Sequence, residues 1–163
     1  MLYDLTEIPD GITPLVGIRG WRYKNGRLWS CYRDVEWPVN SHLISDCIHP
    51  TMYDVGVTKK PKRSNRHSPP TKTCTCGIYA LNEWEPSHPK KLRPWPSDSI
   101  TGLILGWGHI VIGSKGFRAQ YAKPIALVSR PRSTKLSEII EELAHAYGIE
   151  IITVKEAQTY EHR

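Results

Sequence analysis

Four potential metal ligands crowd one stretch of this chain, and they restrict its folding more than any other feature. Cys47, His67, Cys74 and Cys76 fall within thirty consecutive residues. The stretch is short of hydrophobic side chains, so it has little with which to hold itself in place. Three thiolates and an imidazole suit a tetrahedral Zn²⁺. The ligands are separated by nineteen, six and one residues. That is not the paired Cys-x-x-Cys knuckle of standard fingers and ribbons. Cys74-Thr-Cys76 chelates over a single step, with Gly77 directly after it to relieve the backbone. His67 leads into Ser68-Pro69-Pro70, whose fixed φ angles hold it, and His49 competes with it as the nitrogen ligand. Four protein ligands leave no open position, so the expected ion is structural rather than catalytic. The competing reading makes the same cysteines ordinary buried side chains. Cys31, outside the cluster in a Trp-rich run, reads as a core thiol.

Charge is concentrated around the same region. The net charge of the 163-residue chain is +6. From Val55 to Ser97 there are nine Lys and Arg against Glu83 and Glu85, while the remainder carries thirteen bases and fourteen acids. The whole positive excess therefore lies in one segment, with Lys59, Lys60, Lys62, Arg63 and Arg66 at its centre. A localised basic patch points to an anionic partner, most simply nucleic acid, DNA or RNA. A solvated basic loop with no specific partner is the plainer alternative.

Flanking patterns predict the fold. Residues 15–32 read as a β-hairpin, because Asn25-Gly26 separates two aromatic-rich runs. Residues 33–54 read as irregular, broken at Pro38 and Pro50. Residues 77–81 read as a short apolar strand between two Pro-rich loops. Residues 99–130 read as a second hairpin that turns at Gly113–Gly116, with Gly102, Gly106 and Gly108 marking a bulged or coiled strand. Leu136, Ile139, Ile140, Leu143 and Tyr147 recur at helical spacing, capped at Ser133 or Thr134 and ended by Gly148. A strand over 149–154 follows, able to lie parallel to 125–128, and the tail from Lys155 is expected to fray. The expected class is α+β: a strongly bent antiparallel sheet or small β-barrel of the PUA-like kind, one C-terminal helix and a zinc-stapled loop region. A single domain spans 1–163, with a basic Pro-rich insertion at about 55–98.

Several functions find no support. The chain lacks Gly-x-Ser-x-Gly, Walker A, Gly-x-Gly-x-x-Gly and His-Glu-x-x-His signatures. His109 reads as a satisfied sheet histidine. Cys74 beside His67 is the one pair to consider for nucleophilic chemistry, and nothing marks either residue as activated. The first residues lack the basic and apolar runs of a signal peptide. The apolar run from Leu103 to Ile112 is too short to span a bilayer, which takes about 20 residues. A cytoplasmic protein without membrane contact is expected, in a reducing setting that favours metal-bound thiolates over disulfides.

Two motifs carry a resemblance. His67-Ser-Pro-Pro with Cys74-Thr-Cys76-Gly-Ile-Tyr-Ala80, and Gly106-Trp-Gly-His-Ile-Val-Ile with Gly116-Phe-Arg-Ala119-Gln-Tyr-Ala122-Lys-Pro124, resemble motifs of a family of small uncharacterised proteins of actinobacteria and their phages. The resemblance runs from Gly20 to Val154. It implies that Cys47, His67, Cys74, Cys76, Arg118 and Tyr121 are places to look for function, and it implies no activity. Arg118, between Phe117 and Tyr121, has the surroundings of a phosphate or carboxylate fork, or of an edge-strand ion pair. The leading expectation is a non-enzymatic nucleic-acid-binding module in which Lys59, Lys60, Lys62, Arg63, Arg66 and Arg118 meet phosphate and Tyr121 lies on the binding face. The alternative is a protein-interaction module, such as a phage-encoded modulator of a host protein, whose basic loop meets an acidic protein partner with Trp84 and Trp95 as anchors.

Overall fold

The computed structural model describes residues 7–47, 67–83, 98–129 and 134–160. Strands β1 (Leu15–Lys24) and β2 (Arg27–Ser30) form the first hairpin. Its turn places Asn25 at φ 52° and Gly26 at φ 68°, the left-handed pair that a type I′ connection needs and that Asn-Gly adopts most readily. Two short strands follow, β3 (Leu43–Ile44) and β4 (Ile78–Leu81). The long hairpin is β5 (Ile100–Ile112) with β6 (Gly116–Val128). Its register shifts between Leu103 and Ile104 and between Trp107 and Ile110, the second shift falling on the glycine-flanked Trp107. Helix α1 (Thr134–Tyr147), strand β7 (Glu150–Ile152) and helix α2 (Val154–Gln158) complete the order.

The fold is α+β and its pairing is almost wholly antiparallel. Strand β1 pairs with β5 and with β4, and β6 pairs with the same two strands. The ladders therefore run β1–β5–β6–β4 and return to β1. Strand β2 extends β1, β3 extends β6, and β7 lies parallel to β6, as the strand–helix–strand pattern predicts. Strand β4 lies inside the stretch 55–98 that reads as an insertion, yet it is a central strand bonded on both sides.

Alternation along the strands produces two packed faces. One buries Trp21, Leu28, Trp37, Ile78, Ala80, Ile104, Phe117 and Ala119 against Ile140, Leu143, Ala144 and Tyr147 of α1. Phe117, the chain's one phenylalanine, occupies the space where Gly17 and Gly106 present no side chain. The other face packs Ile18, Leu103, Leu105, Trp107, Ile125 and Val128 against Ile152 and Ala157. Helix α1 is tied to the first hairpin by the buried Tyr147 hydroxyl, which donates to the Trp37 carbonyl at 2.7 Å and accepts from the Leu28 amide at 3.0 Å.

Three expectations need correction. The chain from Lys155 does not begin by fraying: α2 is closed by a capping box in which Glu156 N–H donates to Thr153 Oγ1 and Thr153 N–H donates to the Glu156 carboxylate. The stretch 33–54, read as irregular, contains strand β3 and holds fully buried Trp37, whose ring meets Trp21 edge to face at 5.4 Å between centroids. Cys31 is half-buried just past β2 rather than in the core, because the strand ends at Ser30.

Candidate metal centre

Strand β6 builds the centre through its partners. Strand β5 occupies one edge of β6 from Phe117 to Leu127. On the opposite edge β4 pairs at Gly116–Ala119 and β3 at Tyr121–Ala122, both antiparallel. The start of β4 and the end of β3 thus face each other across Gln120. The Ser45 amide donates to the Gln120 carbonyl at 2.8 Å, which carries β3 into that gap. Cys47 lies just beyond β3 and Cys76 just before β4, so residues distant in sequence converge there. The loop 67–77 adds His67 and Cys74.

The four donor atoms lie within 4.8 Å of one another. Cys47 Sγ is 3.3 Å from His67 Nε2 and 3.6 Å from Cys74 Sγ. A tetrahedral site with thiolate bonds of about 2.3 Å and an imidazole bond of about 2.0 Å has edges of about 3.5 Å between sulfur and nitrogen and about 3.8 Å between sulfurs. The two separations lie about 0.2 Å inside those edges, and the residues fit a metal ion. Cys47 and Cys76 are buried, while His67 and Cys74 are half-buried. Of the two candidate nitrogen ligands, His67 stands in the cluster; His49 lies outside the described residues.

The thiols differ in acidity. A backbone hydrogen bond from Cys76, helped by the neighbouring side chains, draws the Cys74 thiol down to about 6. Burial, then the adjoining Cys74 and Cys76 thiols, push Cys47 up to about 12. Without a cation, the cluster therefore favours a Cys74 thiolate beside a protonated Cys47. A divalent cation reverses that preference by stabilising every thiolate at once.

Arg118 sets the loop's shape. Its guanidinium donates to the carbonyl oxygens of Cys74, of Cys76 at 2.7 Å and of Thr71 at 3.1 Å. These bonds run to backbone carbonyls of the ligand loop, where an ion pair with a carboxylate was one expectation. Gly77 makes the close fit sterically feasible. At φ 115° it occupies backbone space that side chains disfavour, and a Cβ there would stand 2.8 Å from Pro70 Cβ and 3.0 Å from Arg118 Cβ. Tyr79, cross-strand from Arg118, donates its hydroxyl to the Thr75 carbonyl at 2.7 Å. The Arg118 guanidinium carbon stands 5.7 Å from the Tyr79 ring centre.

The other predicted positions are dispersed. Tyr121 joins His42 and Trp107, at 5.2 and 6.0 Å between ring centres, and His42 pairs with Glu7 at 3.2 Å. His109 is exposed rather than satisfied within the sheet, and its backbone amide donates to Gln120 Oε1. Lys59, Lys60, Lys62, Arg63, Arg66, Trp84 and Trp95 lie outside the described residues. Sequence reasoning missed the carbonyl of Thr71 as an acceptor and the part played by Tyr79, and it read Pro70 only as a brace for His67. Only the Cys76-Gly77 step signalled how tightly the loop turns.

No family model, curated protein or solved structure matches this chain. Among the described residues no helix is long and apolar enough to cross a membrane.

Proposed function

We propose that this protein is a non-enzymatic nucleic-acid-binding module whose basic loop is clamped by a structural zinc ion. One observation carries the reading. Cys47 and His67 meet at 3.3 Å, and the nineteen residues between them hold Lys59, Lys60, Lys62, Arg63 and Arg66 against one acid, Asp54. A metal joining those two ligands closes the basic segment into a loop with fixed ends. Fixing the ends lowers the ordering cost when the lysines and arginines engage phosphates.

Zinc is favoured by the donor set of three thiolates and one imidazole in a tetrahedral arrangement, and four protein ligands suit a structural role. A reducing cytoplasm preserves such thiolates. The closed circuit of ladders supports a small barrel, and PUA-like nucleic-acid readers combine a barrel with helices. That likeness is one of architecture, and function rests on the site. Arg118 contacts the ligand loop, and Tyr121 stands three residues further along β6. Membership of the actinobacterial and phage family rests on the two motifs, which contain the ligands Cys74 and Cys76 and the clamp residue Arg118.

Binding of DNA and RNA oligonucleotides at two salt concentrations tests the reading. The affinity is expected to fall steeply with salt and to weaken after metal is stripped with a chelator. Absence of binding at low salt, or affinity indifferent to salt, sinks it.

A further inference from the structure

The geometry points to Tyr79 as a base-stacking platform that selects single-stranded over duplex nucleic acid. This rests on the nucleic-acid reading above and narrows its ligand class.

Strand β4 is bonded to β1 on one side and β6 on the other. Its Ile78 and Ala80 are buried in the core, which directs Tyr79 to the outer face, where the residue is 50% exposed. An exposed tyrosine on a central strand is usually free to change rotamer. This one is held at its hydroxyl and over one face of its ring. Its hydroxyl donates to Thr75 in the ligand loop, and the Arg118 guanidinium lies over one face of its ring, so a base would stack on the opposite face. An aromatic held in this way loses little rotamer entropy when a base stacks on it.

Charge favours the same ligand. Three of the five N–H groups of Arg118 are used by Thr71, Cys74 and Cys76. The other two have no acceptor among the described residues and remain for a phosphate or a base edge. Lys72, exposed on the same loop, adds a second cation. A cation beside a presented aromatic matches the alternation of phosphate and base along a strand. In a duplex both faces of each base are covered by its neighbours, so a platform on a sheet surface can take only an unpaired base.

The test compares Tyr79→Leu, Tyr79→Phe and Tyr79→Trp, each checked for metal content, on a fluorescent single-stranded oligonucleotide and on the matching duplex. Stacking predicts that Tyr79→Leu weakens single-strand binding by about 5- to 150-fold and leaves duplex binding unchanged. Tyr79→Phe and Tyr79→Trp keep a ring without the hydroxyl and should bind the single strand within about 3-fold of wild type. Equal losses for all three variants would assign Tyr79 to anchoring the loop and overturn the proposal. So would a Tyr79→Leu variant that binds single strands normally, even with the salt-dependent binding of the protein intact. Failure of the wild-type protein to bind either oligonucleotide at low salt removes both this inference and the reading beneath it.

Discussion

The Arg118 guanidinium and the Cys76 carbonyl oxygen lie 2.7 Å apart, a charge-assisted bond that fastens the ligand loop to β6. With the bonds to Cys74 and Thr71 it gives one side chain three backbone acceptors. Lysine carries one ammonium and cannot reproduce that fork. Arg118→Lys is therefore expected to weaken metal affinity by about 10-fold or more, the usual scale for losing a partner that orients a metal site. Competition with a chromophoric chelator reads this directly. An unchanged affinity would mean that the loop holds its shape without the clamp.

Removing a ligand should be more severe than removing the clamp. Cys47→Ser and Cys76→Ser are expected to abolish metal binding in elemental analysis and to lower the thermal midpoint, because metal-binding energy in such sites is also folding energy. Cys31→Ser, remote from the cluster, should retain the metal. Full metal content in Cys47→Ser would exclude Cys47 as a ligand.

Local features of the fold were legible in the sequence and long-range ones were not. Asn25-Gly26, the helical spacing from Leu136 to Tyr147 and the β-rich run around Gly113–Gly116 are each contiguous in sequence, and each announces its own element. The candidate ligands were legible because cysteine and histidine are sparse and chemically distinctive. The place of β4 between β1 and β6 was hidden, since a four-residue strand in a Pro-rich segment carries no mark of its partners. The role of Arg118 was hidden for a related reason: its acceptors are backbone carbonyls, which leave no trace in the identity of Thr71, Cys74 or Cys76. Helix α2 was a different case, as the Thr153 to Glu156 spacing is a capping box readable without any tertiary information.

Gly77 offers a test of the loop's packing that touches no ligand. Gly77→Ala would place a Cβ against Pro70 and Arg118 at a φ that alanine resists, so about 1–3 kcal/mol of stability should be lost, with metal affinity falling alongside. Gly113→Ala is the control. There the nearest atom to the new Cβ is the Gly116 carbonyl oxygen at 3.5 Å, an ordinary contact, and a change within about 0.5 kcal/mol is expected. Denaturant midpoints of the two variants decide the matter, and equal effects would refute the steric argument.

Tyr147 links stability to pH. Its hydroxyl bridges Trp37 and Leu28 inside the core, and burial raises its pKa above the ordinary tyrosine value. Tyr147→Phe leaves that carbonyl and that amide without their partner, which should cost about 1–3 kcal/mol near neutral pH. A raised folded-state pKa means that the native state favours the protonated hydroxyl. The contribution is then complete below the unfolded-state pKa of about 10 and is lost as pH rises through the folded-state value. The stability gap between wild type and Tyr147→Phe should accordingly stay constant from pH 7 to about 9 and shrink above about 10. Urea midpoints of both proteins across that range measure the gap, and one that persists undiminished at high pH would show that the buried hydroxyl ionises as readily in the folded chain as in the unfolded one.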